Sequence, residues 1–83
     1  MITIQVMSKN NCPLCTEAIA QLRNLQRDYN FELEVIDIYQ DDQMLEKYQL
    51  MIPVVLVEDV EIGYGHIEDQ QVISAIDTHS NKQ

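Results

Sequence analysis

Two cysteines, the only ones in the chain, stand three positions apart in Asn10-Asn11-Cys12-Pro13-Leu14-Cys15. Such a pair can open and close a disulfide, supply half of a metal site, or lie buried as two small apolar residues. The pattern that follows favours the first. Pro13 suits the opening position of a helix, because its missing N–H would have no intrahelical partner there. Cys12 then sits just ahead of the helix and Cys15 in its first turn, roughly 5–6 Å apart between Cα atoms, the usual disulfide span. Unpaired amides and the positive dipole end at a helix start favour thiolate over thiol. They lower a cysteine pKa from about 8.5 to roughly 3.5–7.5. Lys9 adds a positive charge three residues upstream of Cys12. Cys15 lies deeper in the turn and should be less exposed. Cys12 is therefore expected to attack, and Cys15 to resolve the mixed disulfide by intramolecular exchange.

The main rival is metal binding. A structural zinc site takes four ligands. Besides the cysteines the chain has His66 and His79, thirteen positions apart, unlike the tight histidine pairs of zinc fingers. A metal or iron–sulfur site shared between two copies is the form this alternative takes. Pro13, which stiffens the position between the cysteines, weighs against the cluster variant. A non-enzymatic docking module with incidental thiols is the other competitor.

The elements that must position these cysteines follow from periodicity. Ile2, Ile4 and Val6 alternate with Thr3 and Gln5 as in a strand. Leu14, Ala18, Leu22, Leu25 and Tyr29 recur in steps of four and three, which predicts a helix over about 13–29. Phe31, Leu33 and Val35 predict a second strand with those three residues on one face. Asp41 and Asp42 favour a helix start and Lys47 its end, so a short helix is expected there. Ile52–Glu58 is apolar on both faces, as in a buried strand. Val60–Ile62 is expected to be a short partner strand ended by Gly63-Tyr64-Gly65, and Val72, Ile73 and Ile76 mark a last helix. The order is β-α-β-α-β-β-α. A β-α-β start implies parallel pairing, and the short link between the last strands implies an antiparallel hairpin.

Eighty-three residues at 46% hydrophobic content allow one modest core. The expected domain is 1–79, with 80–83 as a flexible tail. Fourteen acidic against 5 basic residues leave a net charge of -9. Such a surface repels phosphate backbones and anionic lipid, so nucleic-acid and membrane partners are not expected. It leaves room for a basic protein partner. The start, MITIQVMS, has neither a basic leader nor a long apolar run, and a cytoplasmic location is expected. In that reducing compartment a catalytic pair makes more sense than a structural disulfide.

The stretch Met7-Ser8-Lys9-Asn10-Asn11-Cys12-Pro13-Leu14-Cys15 resembles the active-site pattern of the glutaredoxins, and Met51-Ile52-Pro53-Val54-Val55-Leu56-Val57 resembles the segment around that family's cis-proline. The similarity runs from Ile2 to about Ile76. It implies an α/β, thioredoxin-like fold of the glutaredoxin type, with a mixed four-stranded sheet and helices on both faces. It also implies that Pro53 is cis and that Ile52 offers backbone hydrogen bonds to the substrate. The chain departs from ordinary dithiol glutaredoxins at Leu14, where they carry an aromatic residue. It departs again at Gly63-Tyr64-Gly65-His66, where they carry the Gly-Gly pair that holds glutathione. The better resemblance is to small glutaredoxin-like proteins that keep the cysteines and Ile-Pro but vary this loop.

The resulting expectation is a thiol–disulfide oxidoreductase acting on protein disulfides or dithiols, as a monomer. Cys12 and Cys15 carry the chemistry, and Lys9, Pro13, Leu14, Ile52, Pro53 and Tyr64 form the substrate surface. No bound cofactor or metal is expected; glutathione is a candidate electron donor. The remaining chemistry-bearing residues have plainer expected roles. Asp37 caps the turn after its strand, His66 is a solvated loop residue, and Glu17 faces solvent. Met44 and Met51 fill the core.

Overall fold

In a computed structural model, which describes residues 1–80, alternation and helical spacing give the expected elements in the expected order. These are β1 (Ile2–Ser8), α1 (Pro13–Leu25), β2 (Phe31–Asp37), a 3-10 turn (Ile38–Gln40), α2 (Asp42–Tyr48), β3 (Val54–Val57), β4 (Val60–Tyr64) and α3 (Asp69–Ser80). The last helix takes in Ser80, the first residue of the expected tail; 81–83 lie outside the described residues. Strand order is β2-β1-β3-β4. β1 pairs parallel with β2 and antiparallel with β3, and β3 with β4 is the antiparallel hairpin.

Because strand side chains alternate, β1 and β3 feed two separate cores. On one face Ile4, Val6, Val55 and Val57 pack with Leu22 and Leu25 of α1 and Val72 and Ile76 of α3. On the other Met7, Val54 and Leu56 pack with Ile38 and Tyr48, and Met44 and Met51 lie against them as expected. Each such buried aliphatic side chain contributes about 1.5–3 kcal/mol. Helices thus cover both faces.

Two local expectations, the ends of the first helix and of the last strand, are corrected. The first helix stops at Leu25, not Tyr29. Beyond it the chain tightens into i→i+3 bonds, Arg27 N–H to Asn24 and Asp28 N–H to Leu25, while the Gln26 amide donates to the Phe31 carbonyl at 3.0 Å. That tightening turns the chain into β2, and Tyr29 still packs on the core from the turn. Val35 takes the same face as Phe31 and Leu33, as expected, and is 43% exposed there. It lies in the second half of an edge strand that has a neighbour on one side only. The partner strand β4 continues two residues past Ile62, through Gly63 to Tyr64. Val55 pairs with Gly63 but Leu56 with Glu61, so Ile62 is an inserted bulge residue. The bulge lets β4 run on alongside β3 to Val54.

Candidate functional site

The C-terminal end of β1, the start of β3 and the end of β4 meet at one edge of the sheet, since Met7 pairs with Val54 and Val54 with Tyr64. The cysteine turn, the Ile52–Pro53 peptide and the Gly65–His66 loop all leave the sheet from this end.

The cysteine turn is built residue by residue. Asn11 takes a left-handed φ of 58°, which asparagine tolerates better than most residues. The reversal delivers Cys12 in extended conformation (φ -116°, ψ 101°) as the N-cap of α1, with Pro13 next in the helix. The Cys12 carbonyl accepts from the Thr16 amide at 3.0 Å and from its hydroxyl at 3.2 Å. The Cys12 Sγ accepts from the Cys15 amide at 3.2 Å, as a capping side chain does. The two sulfurs are joined in a disulfide, with Cα atoms 5.2 Å apart. Cys12 is partly exposed and Cys15 is 2% exposed, the asymmetry expected of an attacking and a resolving thiol.

The other expected site residues fall around this turn. Pro13 is exposed, and Leu14 presents 48% of its surface. Pro53 is buried, follows a cis peptide bond, and its carbonyl accepts from the Gly65 amide at 2.8 Å. The Ile52 amide already donates to the Tyr48 carbonyl at 3.2 Å, so its carbonyl is the backbone group left to offer. Tyr64 ends β4 with 55% of its surface exposed. Lys9 is exposed and enters no ion pair among the described residues. Lys47, in the last turn of α2, has its ammonium 3.8 Å from Glu61 and 5.1 Å above the Tyr48 ring. Asp37 caps the 3-10 turn by accepting from the Tyr39 amide at 2.9 Å.

Two glutamines fix the loop opposite the cysteines. Gln21 of α1 donates from Nε2 to the Ile67 carbonyl at 2.8 Å and to the Asp69 carboxylate at 2.6 Å. Gln71 accepts from the Glu68 amide at 2.9 Å and donates to the Ile62 carbonyl at 3.2 Å. The first of these contacts is half of a capping box, the reach of a residue in the first turn back to the helix cap. The spacing Glu68–Gln71 was the one available clue. Among the described residues no group of three or more His, Cys, Asp or Glu side chains is placed to hold a metal ion, and no helix is long and apolar enough to cross a membrane.

A family profile described as Glutaredoxin-like domain (DUF836) matches residues 3–77. Among solved structures, protein Ne2328 from Nitrosomonas europaea is 31% identical, with a TM-score of 0.81 over 90% of this chain and 91% of that one. Thioredoxin 1 from Thermosipho africanus is 20% identical, with a TM-score of 0.66 over 96% of this chain and 99% of that one. A thioredoxin variant from Halobacterium salinarum is 10% identical and has a TM-score of 0.73, over 99% of this chain and 77% of that one. The two thioredoxins share the fold. No curated protein matches the chain.

Proposed function

The chain belongs to the glutaredoxin-like domain family, and we propose that it is a thiol–disulfide oxidoreductase acting on protein disulfides, with Cys12 as attacking sulfur and Cys15 as resolving sulfur. One observation carries the reading: a bonded cysteine pair at the head of α1 whose two members are unequally buried, Cys15 at 2% exposure and Cys12 open to approach.

In the reduced protein the Cys12 thiolate attacks one sulfur of the substrate disulfide. A Cys12–substrate bond forms, the substrate S–S bond breaks, and the other substrate sulfur leaves as thiolate. Cys15, deprotonated, then attacks the Cys12 sulfur. The mixed disulfide breaks, the Cys12–Cys15 bond forms, and the second substrate thiolate leaves. Two electrons have passed to the substrate, whose thiolates take up protons. A low-molecular-weight thiol such as glutathione, or a dithiol reductase, must return two electrons to the pair. The Cys15 amide, which points its N–H at the Cys12 sulfur, and the dipole of α1 stabilise negative charge there; Lys9 adds to that charge stabilisation. Leu14 and Tyr64 supply exposed apolar contact, and the Ile52 carbonyl next to Pro53 supplies backbone hydrogen bonding. A reducing, cytoplasmic setting and a monomeric enzyme belong to the same reading.

Iodoacetamide alkylation of the reduced Cys15→Ser variant, followed against pH, tests it. A midpoint well under the free value of about 8.5 is expected for Cys12. A midpoint at that value, with no reduction of a protein disulfide above background by the wild type, refutes the proposal and leaves the docking module.

A further inference from the structure

A cleft opens at Leu14 and runs between α1 and the loop joining β4 to α3. It continues along Glu17 and Gln21, which helical spacing brings to the same side of α1. It shares Gln21, His66 and Ile67 with an adjoining, shallow hollow of about 550 Å³ that Glu68 and Asp69 also line. Ala18 and Ile67, 4% and 3% exposed, lie at the bottom, so the floor is apolar. The rim is acidic. Glu17 and Glu68 are exposed, and no lysine or arginine lines the cleft. Its one basic group, His66, lies 3.8 Å from the Glu68 carboxylate. The walls are fixed in place. Gln21 ties the loop to α1 through Ile67 and Asp69, Gln71 ties it to β4, and the Gly65 amide ties it to Pro53.

An apolar floor under a carboxylate rim is complementary to a long side chain with a methylene stem and a cationic head. We propose that this cleft receives a lysine or arginine side chain flanking the substrate disulfide, so that the protein selects disulfides in basic polypeptide segments. The proposal rests on the oxidoreductase reading above and specifies its substrate class. The chain's net charge of -9 draws such a segment in from a distance, and the cleft fixes where its charge sits. Because the loop is already held, little ordering is needed on binding.

The test compares two disulfide-bridged peptides identical except for flanking lysines in one and glutamates in the other, with dithiothreitol recycling the enzyme. At ~10 mM salt the lysine peptide is expected to have about tenfold higher kcat/KM, the sum of a few partly exposed charge contacts. At ~0.5 M salt the ratio should fall to about twofold. The double variant Glu17→Lys/Glu68→Lys is expected to invert the preference. A second double variant, Glu32→Lys/Glu46→Lys, changes net charge equally on exposed positions outside the cleft and should keep most of it. Equal rates on both peptides, or loss of preference to the same degree in both double variants, overturns the cleft assignment while the oxidoreductase reading stands. Failure to turn over either peptide removes the oxidoreductase reading itself, and the cleft assignment with it.

Discussion

At one end of the sheet Asn11 holds a φ of 58° immediately before Cys12; at the other, Glu58 and Asp59 hold φ of 49° and 67° between β3 and β4. All are non-glycine residues in the left-handed region, which costs roughly 1–2 kcal/mol per residue for most side chains. The two ends use that conformation differently. Glu58 and Asp59 form the two-residue turn whose mirror-image geometry matches strand twist. The turn is closed by β1, the Glu58 amide donating to the Thr3 carbonyl at 3.0 Å and the Thr3 amide to the Glu58 carboxylate at 2.9 Å. Strain there serves sheet closure alone. At the cysteine end the same conformation sets the direction of the chain into α1, and so the position of the Cys12 sulfur. A left-handed residue at the hairpin can therefore be relieved without touching chemistry, whereas at the cysteine turn stability and reactivity are coupled.

The largest effect that bears on this contrast is chemical. Cys12→Ser should reduce protein-disulfide turnover to the uncatalysed rate, because a serine hydroxyl neither ionises near neutrality nor forms a mixed disulfide. A turnover assay reads this directly, and residual catalysis would show that the reactive centre lies elsewhere. Next is the core that both ends share. Leu22 is 1% exposed between α1 and the sheet, and Leu22→Ala should cost about 2–5 kcal/mol in urea unfolding. A loss under ~1 kcal/mol would mean that the α1 face is less tightly packed than described.

Smaller and more discriminating is Gly65→Ala. Gly65 has a φ of 71° with nothing within 4 Å of an added Cβ, so the penalty is backbone strain, about 1 kcal/mol. Its amide bonds Pro53, so turnover should fall together with the melting temperature. Gly65→Asn should recover part of both. Smallest is Asp59→Gly at the hairpin, expected to gain about 0.5 kcal/mol after the entropy that glycine adds to the unfolded chain is subtracted. The melting temperature should rise by ~2–4 °C with turnover unchanged. A change in turnover from Asp59→Gly would break the separation between the two ends.

The cysteine turn could be read from the chain because its signals are local: a proline that opens a helix, two thiols one turn apart, and an alternating strand before them. The opposite wall of the site could not. Gln21 reaches Ile67 across 46 positions, and a glutamine within a polar helix face carries no period or propensity that marks such a contact. The Ile62 bulge is similarly silent, being a matter of register between two strands that would alternate acceptably with or without the extra residue. Val35 shows the converse. Its alternation is real, but alternation states only which face a side chain takes, not whether anything covers that face.

What the chain determined alone was the succession of strands and helices and the placing of two sulfurs at a helix start, because these depend on steric and hydrogen-bonding preferences within a few residues. The tertiary structure decided which loops share the cysteine end of the sheet, and that an acid-rimmed cleft opens from Leu14. Those outcomes depend on contacts between segments tens of residues apart, whose free energy exists only once the two cores have packed.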